Sequence, residues 1–186
     1  DANGDNGYYH GTDMYGVDFT ATDRFGNAGY AAFFADGSHI ALDDHPSFNF
    51  GINDFSLSAW VQTSADQDSR ILSKSNHNYD DGYQLGISNA TARFYLMDSD
   101  PVATSNDPLN DNSWHHLVGV REDDNLLLYV DGILAHIVDG VSGTDVSSSR
   151  MLRIGKRDGA QELPFFGNID DIYIINRAIS STEIIT

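Results

Sequence analysis

The sequence predicts an all-β fold, a sandwich of two antiparallel sheets with a short helical turn at the C-terminus. Short segments rich in β-branched and aromatic residues recur from about Tyr30 onward, separated by Asp, Asn, Gly and Ser. Only three of the 28 acidic residues are Glu, and the Asp that make up the rest favour turns over helices. A helix start signal stands close to the C-terminus, at Ser180.

The segment from Phe55 to Gln62 shows the strand pattern most clearly. Its apolar residues alternate with Ser, Trp and Gln, so one face of the strand is apolar. Trp60 and Trp114 each lie within a strand pattern, and we expect both in the core. The other strands are expected at 31–35, 39–42, 70–75, 82–88, 92–97, 114–121, 125–130, 133–138, 151–155 and 165–176.

Two turns join three of these strands into a meander. Asp131-Gly132 tolerates the positive φ values of a tight hairpin turn, and Asp123–Asn125 reverses the chain one strand earlier. Ser180–Glu183 is a capping box, which predicts the terminal helical turn. Residues 1–29 are rich in Gly, Asn and Asp, and predict either an ordered loop held by a metal or a flexible leader.

Length and charge narrow the class of protein. A chain of 186 residues is about one domain, so we expect a single domain over residues 1–186. The chain has no Cys, which excludes disulfides and thiolate zinc sites. The net charge of −18 argues against nucleic acid and anionic membranes as partners. The longest apolar run, Tyr30–Ala35, has six residues and is too short for membrane insertion.

Seven motifs follow one another along the chain: Asp23–Asn27, Ala31–Gly37, Phe55–Val61, Trp114–Val120, Leu127–Gly132, Leu152–Gly155 and Phe166–Ser180. In this order they resemble the laminin-G-like jelly-roll domains of the concanavalin-A-like lectin/glucanase group. The resemblance implies a jelly roll for the two predicted sheets. Such domains usually begin with one further strand, so it also implies that this chain lacks an N-terminal strand and is a piece of a larger protein.

The resemblance also implies a calcium (Ca²⁺) site that joins the loop after the first core strand to the last strand. Asp36 and Gly37 match the loop, and Asp170 matches the strand. Calcium prefers six to eight oxygen ligands, which carboxylates and backbone carbonyls supply. Asp5, in the N-terminal loop, and Asp171 are further candidate ligands.

The adjacent acids Asp170 and Asp171 interrupt an otherwise apolar strand. Neighbouring strand residues point to opposite faces, and burial of an unpaired charge is costly, so at least one carboxylate needs a partner. Calcium is one such partner. The alternative is that one carboxylate pairs with Arg177 or Arg153 while the other contacts water.

The most site-like loop is the segment 74–83. The candidate ligand-binding residues are Tyr83, Tyr79, Asn76 and Asp80, with Arg70 nearby. Aromatic faces next to amides and charged groups are typical of sugar sites. The loop could instead hold a second calcium through its acids, or be a solvated hairpin whose tyrosines pack at its rim.

Catalytic motifs are missing from the sequence. Jelly-roll glucanases carry acids two residues apart on one strand, whereas Glu122, Glu162 and Glu183 stand apart from one another. The chain also has no Gly-x-Ser-x-Gly motif. His115 and His116 point to opposite faces of one strand, and we expect one of them to be packed rather than catalytic.

We therefore predict a non-catalytic, calcium-binding recognition module of a larger secreted or cell-surface protein. The expected partner is a glycan or another component of the cell surface or extracellular matrix, and the module is expected to be adhesive and monomeric within a multidomain chain. A protein-binding or structural spacer module is the main alternative. A glycan-active enzyme with an unrecognised site is the third, because the fold alone does not decide between them.

Overall fold

The computed structural model describes residues 13–75, 81–96 and 99–184. Within these ranges the strands are β1 (Asp13–Tyr15), β2 (Asp18–Thr22), β3 (Ala28–Phe34), β4 (His39–Leu42), β5 (Phe55–Gln62), β6 (Ser69–Ser73), β7 (Tyr83–Ser88), β8 (Thr91–Leu96), β9 (Ser99–Thr104), β10 (Trp114–Glu122), β11 (Asn125–Val130), β12 (Ile133–Asp139), β13 (Leu152–Ile154) and β14 (Gly167–Ile175). A 3₁₀ turn spans Pro46–Phe48, and helix α1 spans Ser181–Ile184.

The described strands form two seven-stranded sheets. Sheet 1 has the order β1-β4-β13-β6-β7-β8-β9, and sheet 2 has the order β12-β11-β10-β5-β14-β3-β2. The strand pairs within both sheets are antiparallel. The predicted antiparallel β-sandwich jelly roll with a short C-terminal helical turn is therefore confirmed.

The core lies between the two sheets. The predicted apolar face of β5 points into it, and Phe55, Leu57 and their alternate neighbours are fully buried. The Phe55 ring stacks on Phe50 with ring centroids 4.4 Å apart, and it also contacts Tyr83 and Phe94. Aromatic contacts of this kind add to the free energy gained from burying the rings.

The predicted turns and the terminal helical turn are confirmed. β10, β11 and β12 form the meander, and both Asp131 and Gly132 have the positive φ values that a tight hairpin turn needs. At the C-terminus the backbone N–H of Ser180 donates to Glu183 Oε2 at 2.9 Å, as in a capping box.

The sequence interpretation missed three strands. Residues 13–22, expected to be a loop or a leader, form β1 and β2 at the edges of the sheets. The acidic segment near residue 100 forms the edge strand β9, where Pro101 is tolerated because an edge needs fewer backbone donors. Edge strands pair on one side only and are partly solvated, so their sequences show little of the alternation that marks a strand.

Candidate functional site

The outer face of sheet 2 carries polar and aromatic side chains beside one another. Trp60 is the third outward residue of β5, and the strand register places it opposite His116 of β10 and Asp170 of β14. Gln62, the next outward residue, lies opposite Trp114 and Asn168 in the same way.

The C-terminal segment covers one half of this outer face. Ile184 of α1 packs against a small apolar cluster that includes Val118 and Tyr129. The Ser56 hydroxyl donates to the Arg177 carbonyl at 2.9 Å and accepts from the Ile179 N–H at 3.1 Å, which fixes the segment to β5. The other half, around Trp60 and Gln62, is the part available for a ligand.

The turn between β2 and β3 rises beside the open half. Asp23 organises this turn, because its carboxylate accepts hydrogen bonds from the backbone N–H groups of Phe25 at 2.9 Å and Asn27 at 2.8 Å. Asp side chains often stabilise turns in this way. The turn carries Arg24 over the sheet, with its guanidinium carbon 4.3 Å from the Phe25 ring centroid and 4.8 Å from that of Trp60.

Arg24 also forms ion pairs with both acids of β14. Its Nη1 lies 3.4 Å from Asp170 Oδ2 and in closer contact with Asp171 Oδ2. The prediction that Arg177 or Arg153 would pair with these acids is wrong. Arg177 instead pairs with Glu183 of the terminal turn, and Arg153 pairs with a different aspartate.

A β-bulge explains why one arginine reaches both acids. The register of β14 against β5 shifts between Asp170 and Tyr173, and Asp171 has a φ of +44°. The expectation that the two carboxylates point to opposite faces is therefore wrong here, since a bulge redirects side chains. Burial and the neighbouring charge of Asp171 raise the pKa of Asp170.

Two histidines flank the open half of the face. The His116 ring stacks on Trp60 with centroids 4.9 Å apart, and burial lowers its pKa, so the ring is neutral at pH 7. For His115, burial alone would lower the pKa, but hydrogen bonds with Asp131 and Asp111 outweigh burial and raise it. The His115 ring atoms lie 2.9 Å and 3.2 Å from these carboxylates.

A groove of about 570 Å³ lies on this open half, and we call it the outer groove. The Asn168 side-chain amide donates to Gln62 Oε1 at 2.7 Å, and Gln62 Nε2 donates to the Asn112 carbonyl at 2.9 Å, so both amides are held in place. The residues that line the groove include Asp18, Thr20, Asp23, Arg24, Phe33, Gln62, Trp114 and Asn168.

The structure does not bring the predicted calcium ligands together. β14 runs antiparallel to β3, with Gly167 opposite Phe34. The turn that carries Asp36 follows Phe34, whereas Asp170 lies three residues beyond Gly167, about 10 Å along β14 and away from that turn. The Gly37 carbonyl is 3.0 Å from a ring nitrogen of His39.

The described residues contain no group of three or more His, Asp or Glu that could hold a metal. Asp170 and Asp171, two of the predicted ligands, instead contact Arg24. Asp5 lies outside the described residues. Calcium binding by this chain stays a prediction.

The predicted ligand loop is described only at its end. Asn76, Tyr79 and Asp80 lie outside the described residues. Tyr83 is fully buried, and its hydroxyl donates to the Phe48 carbonyl at 3.0 Å, so its ring cannot receive a sugar. Tyr83 is the first residue of β7 and points to the core.

Arg70 is also buried rather than available to a ligand, with 4% of its surface exposed. Its Nη1 donates to the Ser69 carbonyl at 3.1 Å, its Nε contacts Gln84 Oε1, and its guanidinium lies over the Tyr95 ring. The site predicted from Arg70 and Tyr83 is therefore wrong for both residues.

The expectation that both tryptophans lie in the core is wrong. Trp60 and Trp114 are half-buried on the outer face of sheet 2, not in the core. Strand parity predicts this position, because successive residues of a strand point to opposite faces. Leu57 and Val61 of β5 point inward, so Trp60, like the serines of this strand, points outward.

Two antiparallel seven-stranded sheets with a groove on one outer face define a lectin-like β-sandwich. The sequence profile of the concanavalin A-like lectin/glucanases superfamily, in its laminin G form, matches residues 34–185. The chain belongs to this family, and the predicted resemblance is confirmed. No curated protein sequence matches the chain.

Solved structures with the same fold include binding domains of two toxins. The binding domain of Paraclostridial Mosquitocidal Protein 1 is 14% identical with a TM-score of 0.72, and 94% of this chain covers 46% of it. The receptor binding domain of botulinum neurotoxin D is 15% identical with a TM-score of 0.69, and the match covers 94% of this chain and 46% of that one. The chain thus spans less than half of these toxin chains.

A third solved structure is domain 4 of AbnA, a GH43 extracellular arabinanase from Geobacillus stearothermophilus, in complex with arabinotriose. It is 16% identical to this chain with a TM-score of 0.60, and 83% of this chain covers 74% of it. At these identities the likeness establishes the shared fold. Among the described residues, no helix is long and apolar enough to span a membrane.

Proposed function

We propose that the chain is a non-catalytic recognition module that binds a glycan in the outer groove. The observation that carries this proposal is the composition of the groove, in which aromatic rings and fixed amides line one volume of about 570 Å³ on the open half of sheet 2. Pockets that combine apolar faces with a few placed polar groups are typical ligand sites.

The groove offers both kinds of contact that a sugar needs. Trp114 and Phe33 supply ring faces for the C–H surface of a pyranose or furanose, and Phe33 is 43% exposed. Gln62 and Asn168, held by their mutual hydrogen bond, present amide groups toward hydroxyl pairs. Because the chain carries a net charge of −18, a neutral glycan fits it better than an acidic one.

The acids of the groove support binding rather than hydrolysis. Asp18 Oδ1 accepts from both the backbone N–H and the hydroxyl of Thr20, at 2.8 Å and 2.7 Å, and these bonds lower the pKa of Asp18. Asp23 is engaged in its turn. Glycoside hydrolysis needs one protonated and one ionised carboxyl group facing the same bond.

Secretion within a larger protein is part of the same proposal. The acidic, Asp-rich sequence suits an extracellular surface bathed in salt and calcium. Receptor binding by the botulinum neurotoxin domain, and arabinotriose in the extracellular arabinanase domain, are properties of those proteins that agree with this role.

A protein ligand is the second candidate, and a specific surface favours it. The edge strand β12 exposes Ile133, Leu134 and Ile137, at 73%, 46% and 51% of their surfaces. An apolar edge strand can add a strand from another chain.

The test is a glycan array followed by calorimetry on any hits. Trp114→Ala should weaken glycan binding about fivefold or more, because stacking on one ring contributes of the order of 1 kcal/mol or more. Tyr173→Ala is the matched control: Tyr173 lies on the same sheet, is 57% exposed and does not line the outer groove. The proposal would be refuted if Trp114→Ala left glycan binding unchanged. It would also be refuted if the chain bound no glycan and Ile133→Asp disrupted a complex with a protein.

A further inference from the structure

A second cavity, of about 230 Å³, lies between the two sheets, and we call it the inter-sheet cleft. Sheet 2 contributes Phe19 of β2 and Tyr30 of β3, and sheet 1 contributes Ile40 of β4 and Ile154 of β13. The cleft is therefore a gap at the side of the sandwich, separate from the outer groove.

The walls of the inter-sheet cleft are apolar and its mouth is aromatic. Phe34 and Ile169, both core residues, line its inner part. Phe19 and Tyr30 line it as well, although 48% and 74% of their surfaces are exposed. A volume of this size fits one aromatic ring or a short aliphatic group, and filling it would remove these apolar surfaces from water.

One rim of the inter-sheet cleft carries charge. Asp170 and Asp171 line it, and the bulge in β14 holds both carboxylates toward Arg24. Two carboxylates facing one guanidinium leave one negative charge uncompensated. The Asp171 side chain is 39% exposed, so that charge is accessible from solvent.

The backbone at this rim is irregular at Asp171. Asp171 adopts a φ of +44° in the middle of a sheet, where an extended conformation would pair more regularly. Bulges and left-handed residues are over-represented at functional sites, where they aim a side chain. Here the bulge places a carboxylate at the edge of an apolar cavity.

We propose that the inter-sheet cleft binds a cationic ligand with a small apolar body, an aryl- or alkylammonium group. The apolar body occupies the volume between Ile40 and Ile169, and the ammonium group lies at the rim near Asp171. Aromatic rings attract cations through their faces, so Phe19 and Tyr30 add to the attraction of the carboxylate. The net charge of −18 favours a cation over an anion as well.

The test uses three probes of similar shape: 2-phenylethylammonium, 2-phenylethanol and 3-phenylpropionate. Chemical shift changes in ¹H–¹⁵N spectra give both the dissociation constants and the location of binding. We expect the ammonium probe to bind about fivefold more tightly than the alcohol, as for a partly exposed ion pair, and the carboxylate to bind most weakly. The preference should shrink in 0.5 M salt because salt screens exposed charges.

Two variants and one control locate the effect. Asp171→Asn should abolish the preference for the cation while the alcohol still binds, and Asn tolerates the left-handed conformation of this position. Tyr30→Ala should weaken all three probes. Asp36→Asn, which removes an exposed carboxylate outside the inter-sheet cleft, should change nothing.

Equal affinity for the three probes, or a cation preference that survives Asp171→Asn, would overturn the proposal. Shift changes centred away from Tyr30 and Asp171 would also overturn it. Trp114→Ala, which alters the outer groove, should leave probe binding unchanged. The result therefore does not depend on whether the proposed glycan binding is correct.

Discussion

Lys74 offers the sharpest test of what holds the loops of this sandwich together. The side chain is fully buried, and its ammonium group donates three hydrogen bonds of 2.7 Å, to Asp44 Oδ1 and to the carbonyls of Ser148 and Arg150. One cation thus ties the end of β6 to two separate loops. The substitution Lys74→Met keeps the aliphatic stem and removes every one of these bonds.

The expected cost follows from the groups left behind. Breaking a buried ion pair destabilises a protein by about 3–5 kcal/mol, since the remaining partner loses its counter-charge. Asp44 is 39% exposed and regains water, so the lower end, about 3 kcal/mol, applies. For a chain of this size each kcal/mol lowers Tm by about 2–4 °C, so we expect a loss of about 9 °C.

The assay is thermal unfolding followed by circular dichroism, with Lys156→Met as the matched control. Lys156 makes one ion pair, at 2.7 Å to a Glu162 side chain that is 49% exposed, and should lose about 1 kcal/mol. The hydrogen bond from Lys74 also lowers the pKa of Asp44 below 3.8. The ionised Asp44 therefore adds stability that is fully present above its unfolded pKa, and this stability is lost as pH falls through the folded pKa. Lys74→Met should reduce this loss of stability at acid pH. A Tm within 2 °C of the wild type would refute the reasoning.

Three further outcomes follow from the structure. The raised pKa of His115 adds stability below its unfolded pKa near 6.5 that disappears as pH rises through the folded value, and His115→Gln should flatten that part of the Tm–pH curve. Gly119→Ala should cost about 1–3 kcal/mol in urea unfolding, because a Cβ there would lie 2.6 Å from the Phe94 ring. Asp170→Asn should change Tm by the same amount in calcium and in EDTA, since Arg24 contacts its carboxylate; a loss seen only with calcium would show that Asp170 is a metal ligand.

The central strands were predictable because each has one buried face. In β5 the apolar residues from Phe55 to Val61 are inward without exception, so alternation alone gives both the strand and its orientation. The hairpin at Asp131-Gly132 was predictable for a different reason. Its turn needs two positive φ values, and that requirement is local in the sequence.

The composition of the ligand loop suggests a sugar site, whereas strand parity places Tyr83 in the core. Tyr83 lies on the same face of β7 as Leu85 and Ile87, which are buried core residues, so its ring belongs to the core. Trp60 and Trp114 illustrate the reverse error, since their size suggested burial while parity placed them on the outer face. A strand fixes orientation residue by residue, and large aromatic residues follow that constraint.

The contact of Arg24 with two acids in β14 could not be predicted from the sequence. It depends on a bulge, which breaks the parity rule at Asp171, and on a turn 146 residues away in the chain. Neither feature leaves a local sequence signal strong enough to identify. For the same reason the outer groove, which depends on the turn that carries Arg24, had no counterpart among the predicted sites.

This ion pair also connects the two proposed sites. Arg24 lines the outer groove, and Asp170 and Asp171 line the inter-sheet cleft. A cation bound at the rim of the cleft competes with Arg24 for Asp171 and thereby alters one wall of the groove. Binding at the two sites should then be linked, and linkage between equilibrium affinities is reciprocal.

The linkage can be measured by titrating the glycan with and without saturating 2-phenylethylammonium. We expect a change of about twofold to fivefold in glycan affinity, the effect of one partly exposed ion pair. Arg24→Met should remove the change, because no cation then remains for the ligand to displace. The glycan should alter the affinity for the ammonium probe by the same factor. A change in glycan affinity that persists in Arg24→Met would show that the ion pair does not couple the sites.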